Sequence, residues 1–205
     1  SAASMRDPAL LETLLGHRSI RRFTPDPIPD EQLRRLVACG QAAATSNLGQ
    51  AYSLIQVTDP ESRRVLSEVA DAAPSLREAP EVLVCCADLK RLDLCCRLHQ
   101  AGSIEGYTEQ FIAATVDAAL MAQNLMVAAE SMGLGGVYVG GIRNDPTRVS
   151  DLLGIPYLVY PVFALCLGHP AEAGEPKPRL PVDAVLHRER YREQGQREDI
   201  EAYER

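Results

Sequence analysis

The sequence predicts a layered fold of the α/β or α+β class, in which helices pack against a sheet. Four strand-like runs, rich in Val, Leu, Ile, Tyr and Cys, alternate with segments of helical periodicity along the chain. Several of these runs lack the polar alternation of a half-exposed strand, which is typical of strands buried on both faces. This alternation favours packed layers over a helical bundle.

Helix starts are marked by an aspartate followed by a proline. An aspartate at the N-cap accepts a hydrogen bond from the first helical turn, and proline is favoured at the first helical position. The pairs and the amphipathic runs after them are Asp7-Pro8 before 9–15, Asp59-Pro60 before 62–69, and Asp145-Pro146 before 147–153. Gly154 fits the end of the third run. A fourth helix is expected from Asp30, where apolar residues follow at helical spacing.

The segment 109–132 predicts a long helix without a polar face. Apolar residues occupy nearly every side of its helical wheel, so we expect it to be buried on all sides. At ~1.5 Å per residue it would span roughly 35 Å, the width of a small domain. A chain of 205 residues offers few other segments to cover it. A second copy of the chain is the simplest cover.

Strands are predicted at 52–58, 81–87, 135–139 and 157–167. Between the second strand and the long helix lies a polar segment, which is either helical or a loop. After Gly168, prolines recur up to Pro181 and argue against regular structure there. We expect a single domain over 1–205, with 170–205 as an extended C-terminal arm and residues 1–6 disordered or left over from an expression vector.

Composition argues against several function classes. The formal net charge of −7 argues against nucleic-acid binding, which needs a cationic surface. The long apolar segment contains Asp117 and Glu130, which would be costly inside a membrane, and no targeting signal is visible. The six cysteines have no Cys-x-x-Cys spacing, so we expect reduced thiols in a cytoplasmic protein. Neither nucleic acid nor a membrane is expected as a partner.

Two polar clusters follow predicted helices. The first combines guanidinium groups with a hydroxyl, and such groups bind phosphate well. It consists of His17, Arg18, Ser19 and Arg21. The alternative is that these cations only complement the dipole at the end of the preceding helix. The second cluster offers donors and acceptors suited to a heterocycle or a polyol, or else forms an ordinary capping turn. It consists of Thr45, Ser46 and Asn47.

Two further clusters contain glycine or proline. Glycine pairs bracket the predicted strand 135–139, which suggests that its backbone lies close to another group, although tight turns are the alternative. This cluster includes Tyr138, Gly140 and Gly141. In the last cluster, prolines hold Lys177 and Arg179 apart in an extended segment, which is either a cation pair of fixed direction or a solvated linker.

Neither a catalytic side-chain constellation nor a metal site is predicted. The four histidines are far apart in the sequence, and no Gly-x-Ser-x-Gly elbow accompanies them. No ligand spacing typical of a metal site occurs. A chain with anion-binding groups but no reactive constellation of its own suggests that a bound cofactor supplies the reactivity.

Taken in order, these pieces resemble the nitroreductase superfamily, and most closely its branch of oxygen-insensitive NADPH nitroreductases and flavin reductases. The resemblance covers the chain from about Leu10 to Tyr191. The matching segments are Gly16-His-Arg-Ser-Ile-Arg21, Asp117-Ala-Ala-Leu-Met-Ala-Gln-Asn124, Ala128-Ala-Glu-Ser131, Gly133-Leu-Gly-Gly-Val-Tyr-Val-Gly-Gly141, Leu165-Cys-Leu-Gly168 and Lys177-Pro-Arg-Leu-Pro181. Any one of these motifs is unspecific, whereas their common order is not.

The resemblance implies an α+β fold with a central sheet flanked by helices. It also implies an intertwined homodimer that binds FMN, without a covalent bond, at its interface. The phosphate, ribityl and pyrimidine edge of FMN would be bound by His17, Arg18, Ser19 and Arg21. The positions near the flavin would be Thr45, Ser46 and Asn47, and those along the isoalloxazine ring would be Tyr138, Gly140 and Gly141. Lys177 and Arg179 would hold the phosphate.

The activity that the resemblance implies is a two-electron transfer in a ping-pong cycle. NADPH or NADH would reduce FMN, and a small-molecule acceptor such as a nitroaromatic, a quinone or free flavin would then be reduced. No side chain is expected as a catalytic acid or base, because the flavin carries the chemistry. The alternatives are a non-catalytic flavin-binding or regulatory dimer, a specialised dehalogenase or flavin-fragmenting enzyme with a lid at 95–108, and an interaction domain without flavin.

The sequence departs from this branch at two places. Relatives often have Gly-Gly-Gln where this chain has Asp71-Ala72-Ala73, so the contact of that Gln with flavin is lost or replaced. Relatives also continue beyond the position of Arg205 with a basic helical segment that is thought to hold the 2′-phosphate of NADPH. The preference between NADPH and NADH is therefore left open.

Overall fold

The computed structural model describes residues 9–204, so the expectation for residues 1–6 lies outside the described part. Contacts divide the chain into two compact units, one up to Gly174 and one from Glu175. The first unit holds a four-stranded sheet with helices on both faces. The second unit, within the expected C-terminal arm, contains two short helices.

The first unit begins with two helices and then alternates strands with helices. Its helices are α1 (Ala9–Leu15), α2 (Asp30–Gln41), α3 (Pro60–Val69), α4 (Ser75–Glu78), α5 (Lys90–Leu98), α6 (Thr108–Ser131) and α7 (Pro146–Leu153). Its strands are β1 (Tyr52–Gln56), β2 (Glu81–Asp88), β3 (Gly135–Val139) and β4 (Val159–Gly168). Short 3-10 turns cover Ser46–Leu48 and Gly140–Asn144. The second unit contains α8 (Val182–Val185) and α9 (Gln196–Tyr203).

The sheet has the strand order β1-β2-β4-β3, and all three pairings are antiparallel. This confirms the α+β class and the central sheet flanked by helices. Every residue of the inner strand β2 is buried, as the apolar run 82–87 predicts, and the buried residues include the charged residues Glu81 and Asp88 at its two ends. One face of the sheet packs against α2 and α6, and the other against α3, α4 and α7.

Two of the aspartate-proline pairs start helices as expected, and the third, Asp7-Pro8, lies outside the described residues. Asp59 accepts a hydrogen bond from the backbone N–H of Ser62 at 2.8 Å, ahead of α3. Asp145 accepts one from the N–H of Arg148 at 3.0 Å, ahead of α7. α7 ends at Gly154, which adopts the left-handed conformation that favours glycine. The polar segment after β2 is helical in its first part, as α5, and irregular at 99–107.

The long helix α6 is confirmed, but it is not buried on all sides within one chain. One side packs into the core through residues such as Met121, Leu125 and Met126. The other side carries an exposed apolar stripe at positions i, i+4 and i+8, formed by Ile112, Val116 and Leu120. By length and composition α6 could cross a membrane, yet core helices pass the same test.

Candidate functional site

The basic segment after α1 lies along the outer edge of the sheet, beside β3. Ser19 forms a parallel bridge with Gly136, and the N–H of Ile20 donates to the Gly136 carbonyl at 2.9 Å. The stretch after β4 lies beside the later part of the basic segment, because the N–H of Ala171 donates to the Arg22 carbonyl at 3.0 Å. The fold thus joins two of the sequence clusters, the basic one and the one rich in glycine.

The glycines at the start of β3 make this close approach possible. A Cβ atom on Gly135 would lie 2.6 Å from Cγ1 of Ile20. One on Gly136 would lie 2.7 Å from Leu167 and 2.8 Å from the carbonyl oxygen of Cys166. Real Cβ atoms do not come this close, so the two glycines are required by packing.

A cavity of about 880 Å³ opens where the basic segment meets the C-terminal end of β3. Its walls are the basic segment, the backbone at the end of β3, and the turn that follows α3. The polar and backbone groups of these walls belong to Arg21, Arg22, Tyr138, Gly140, Asp71, Ser75 and Glu78, so two carboxylates line the cavity together with the two arginines. The volume falls within the range of ligand pockets, about 300–1,000 Å³.

The arginines of this cavity are held by their backbone and have free side chains. The backbone N–H groups of Arg21 and Arg22 donate to Oε1 of Glu172, at 2.9 and 3.3 Å. These bonds, that from Arg21 most strongly, lower the pKa of the Glu172 carboxyl, and the nearby guanidinium charges add to this. Neither guanidinium group has a partner within residues 9–204. Two cations are therefore available to an anionic ligand.

Tyr138 contributes backbone rather than its ring to the cavity. Its neighbours Val137 and Val139 pack on the cavity side of the sheet, and the tyrosine ring lies on the α6 side. There the ring packs edge-on against Phe163, and its hydroxyl donates to Oε1 of Gln123 at 3.2 Å. Burial raises the pKa of the Tyr138 hydroxyl, so it stays protonated at neutral pH.

The two glycines after β3 differ in what surrounds them. A Cβ atom on Gly141 would lie 2.9 Å from Cα of Ala70, so this glycine is required where its turn meets the turn after α3. A Cβ atom on Gly140 would meet the guanidinium of Arg143 at 3.0 Å, which is the far end of a flexible side chain. Packing therefore requires Gly141 more strongly than Gly140.

His17 and Arg18 are already engaged within the first unit. Nδ1 of His17 lies 2.6 Å from Oε1 of Glu130, near the end of α6. Arg18 donates to the carbonyl oxygens of Gly16 and Ala173, both at 2.8 Å. Ser19 is exposed beside them. These contacts fix the basic segment at the C-terminal part of α6.

The polar loop with Thr45, Ser46 and Asn47 lies elsewhere in the same chain. Its Ser46 N–H donates to Asp117 of α6 at 2.8 Å, whereas His17 contacts Glu130 of the same helix. At ~1.5 Å per residue these two anchor points are about 20 Å apart along α6. One chain therefore does not bring this loop to the cavity.

Lys177 and Arg179 lie in the second unit, in the irregular segment that precedes α8. Both side chains are exposed. The guanidinium of Arg179 donates to the carbonyl oxygen of Lys177 at 3.0 Å.

Sequence reasoning missed several supporting residues. Arg22 belongs to the same basic run as Arg21, and that adjacency was a usable signal. Asp117 and Glu130 are rare carboxylates in an apolar helix, and each one anchors a polar segment. The turn at Asp71, which the sequence comparison noted only as a lost contact, lines the cavity and has left-handed backbone at Asp71 and Ala72. Within residues 9–204, no group of three acidic, histidine or cysteine side chains is placed to bind a metal.

Comparison with known proteins gives two family matches. The model of the nitroreductase family matches residues 14–169, and that of the nitroreductase family C-terminal domain matches residues 177–205. The NADPH-flavin oxidoreductase of Vibrio harveyi is 43% identical over 194 residues, which are 95% of this chain and 79% of that protein. The oxygen-insensitive NADPH nitroreductase of Salmonella typhimurium is 42% identical over 181 residues, 88% of this chain and 74% of that protein.

Solved structures show the same similarity. The NADPH:FMN oxidoreductase from Vibrio harveyi, complexed with NAD+, superposes with a TM-score of 0.88 at 42% identity. The match covers 95% of this chain and 82% of that one. The similarity therefore includes the fold as well as the sequence motifs.

Proposed function

Because the chain belongs to the nitroreductase family, we propose that it is an FMN-dependent oxidoreductase that uses NAD(P)H to reduce small-molecule acceptors. Nitroaromatics, quinones and flavins are the acceptor classes, in keeping with the flavin reductase and nitroreductase activities of its relatives. The observation that carries the proposal is the cavity of about 880 Å³, lined by two arginines whose guanidinium groups have no partner among the described residues, in a chain of this family.

The residues present fit FMN. The cavity has the volume for a flat ring system, and its free guanidinium groups suit a phosphate or the polar edge of a flavin. In the polar loop, Oγ1 of Thr45 is buried and has no hydrogen-bond partner in the described part of the chain, which leaves one hydrogen-bonding group for a ligand. Bound there, FMN would supply the hydride and two-electron chemistry.

In this proposal the protein's own residues bind and orient FMN. Arg21, with Arg22 beside it, supplies positive charge at the cavity, and Glu172 holds the backbone of both. We keep His17, Arg18, Ser19, Gly140 and Gly141 as cofactor-binding positions, together with Tyr138 through its backbone. Lys177 and Arg179 remain proposed phosphate ligands on the resemblance alone. No side chain is assigned as a catalytic acid or base.

We propose a homodimer in which the polar loop of one copy reaches the cavity of the other. Two observations support it: the exposed stripe on α6, and the separation of about 20 Å between the loop anchor and the His17 anchor. An exposed apolar stripe of this kind marks an interaction surface. The six free cysteines are typical of a reducing compartment, so we also propose a cytoplasmic location.

If the α6 stripe forms the dimer interface, a charge introduced there should strongly weaken the dimer. Val116→Glu would place an unpaired carboxylate in the interface, and an uncompensated buried charge costs about 3–5 kcal/mol. We expect dimer dissociation to increase a hundredfold or more. Sedimentation velocity measures the dissociation of the dimer in Val116→Glu and in a control, Thr147→Glu. The control adds the same charge to an exposed position on α7. Equal dimer stability in both variants would contradict this interface.

The proposed activity is tested by the absorption spectrum of the purified protein, supplied with FMN if it is colourless. We expect protein-bound flavin bands that bleach when NADPH or NADH is added under nitrogen and that return when a quinone is added. Free FMN with the same reductant, without protein, is the control. Bound flavin that neither reductant bleaches would favour the non-catalytic flavin-binding dimer, and failure to bind flavin would contradict the proposal.

A further inference from the structure

A carboxylate is buried in the middle of α6, the most apolar helix of the chain. Asp117 is only 2% exposed, and each of its oxygens accepts one backbone hydrogen bond. Oδ1 accepts from the N–H of Ser46 at 2.8 Å, and Oδ2 accepts from the N–H of Ala51 at 3.1 Å. A buried carboxylate is costly unless it is hydrogen-bonded. The two backbone hydrogen bonds offset that cost for Asp117.

The two bonds flank a strained stretch of backbone. Asn47, Leu48 and Gln50, none of them glycine, have φ values of 49°, 56° and 49°. Side chains of L-residues oppose this left-handed conformation, so the loop needs an external anchor to hold it. Asp117 accepts a hydrogen bond from the backbone immediately before the strained stretch, at Ser46, and another immediately after it, at Ala51.

Other bonds to this loop are few. Within residues 9–204, the other side chain from outside the loop that bonds to residues 46–50 is Arg91, which donates to the Gln50 carbonyl at 3.2 Å. A bond from the N–H of Gly49 to the Ser46 carbonyl, at 2.8 Å, closes the turn internally. Asp117 is therefore the contact that ties the loop to α6.

We propose that Asp117 is a positioning residue for flavin binding, which presets the loop of Thr45, Ser46 and Asn47 before the cofactor arrives. This inference rests on the proposed function, because the loop acts on FMN only if the protein binds FMN. Asp117 follows Val116 of the exposed stripe directly, so one helix carries both the proposed interface and the anchor of the loop. Dimer formation then brings an already shaped loop to the cavity of the second copy.

The role requires a carboxylate rather than any polar side chain. Both groups that face Asp117 are N–H donors, and a carboxylate accepts at both oxygens. An asparagine of the same shape would offer one oxygen and would turn an NH₂ group toward the other N–H. Asp117→Asn thus removes one anchor with almost no change in volume.

The first test compares FMN affinity in Asp117→Asn with that in Asp93→Asn. Asp93 is also a buried carboxylate, 4% exposed, but it lies on α5 and pairs with Arg97. We expect the dissociation constant for FMN, from flavin fluorescence, to rise tenfold or more in Asp117→Asn and less than threefold in Asp93→Asn. Thermal unfolding of both variants reports any general loss of stability. Equal FMN affinity in Asp117→Asn and wild type would overturn the inference.

The second test uses the wild-type protein without FMN, so it does not depend on how a variant folds. Amide hydrogen exchange of Ser46 and Ala51 should be slowed at least tenfold relative to that of Gly102, which is in an exposed loop. Exchange at Ser46 and Ala51 as fast as at Gly102 would show that the loop is not preset and would overturn the inference. A wild-type protein that binds no FMN would overturn the proposed function, and the flavin role of Asp117 with it.

Discussion

Replacing Arg21 by alanine is expected to weaken FMN binding about tenfold to a hundredfold. Its guanidinium lines the cavity and has no partner within residues 9–204, so it is free to make a charge-assisted bond to the cofactor. Such a bond contributes about 1.5–3 kcal/mol, and ~1.4 kcal/mol corresponds to a factor of ten in affinity. The backbone of Arg21 stays fixed by Glu172, so the variant removes the side chain without releasing the segment.

Fluorescence titration of the flavin-free protein with FMN measures this effect. Arg35→Ala is the matched control, because Arg35 is an exposed arginine on α2, outside the residues that line the cavity. Arg21→Lys should fall between wild type and alanine, since lysine keeps the charge but loses the planar fork of donors. An Arg21→Ala protein with unchanged FMN affinity would remove Arg21 from the proposed site.

Replacing Gly136 by alanine is expected to destabilise the fold and, with it, the site. The added methyl group would lie 2.8 Å from the carbonyl oxygen of Cys166 in the neighbouring strand, and backbone in a sheet cannot easily move. Overpacking of this kind costs about 1–3 kcal/mol. For a chain of this size, that lowers the melting temperature by roughly 2–12 °C. The bond from Ile20 to Gly136 is strained at the same time, so FMN binding should weaken too.

Thermal unfolding followed by circular dichroism measures the loss, with Gly140→Ala as the control. The Cβ atom at Gly140 would meet only the guanidinium of Arg143, which also bonds to the Val162 carbonyl and would have to shift by a few tenths of an ångström. The melting temperature of Gly140→Ala should therefore change by less than ~2 °C. If the two variants melted at the same temperature, the close packing at Gly136 would not be the reason for that glycine.

The elements of the fold could be predicted because they depend on local physical chemistry. An aspartate before a proline satisfies the free N–H groups of a first helical turn, and Asp59 and Asp145 do so in the structure. Several of the strand-like runs had the apolar character of strands buried on both faces, and β2, in which every residue is buried, is such a strand. The short helix α4 was missed, because four residues after Pro74 carry too little periodicity to be recognised.

The local sequence pattern was not sufficient to predict which side of α6 is exposed. The sequence indicated that this helix has no polar face, and that is correct, but it could not say which side faces the core. That choice depends on how α6 crosses the sheet and α2, and so on contacts between residues far apart in the chain. The exposed side, with Val116 at its centre, became visible only in the folded chain.

By itself, the sequence indicated most of the helices and strands and their order, and its motifs indicated the family and, through that resemblance, the α+β class. It also supplied the polar and basic clusters as separate pieces. The tertiary structure alone decided which pieces meet: the segment with Ile20 lies against Gly136, the ring of Tyr138 turns to the α6 side, and the loop at Ser46 is held by Asp117. The physical reason is that helix starts and strand patterns are set by neighbours along the chain. Sheet register and buried hydrogen bonds join residues far apart in sequence, and no local pattern specifies them.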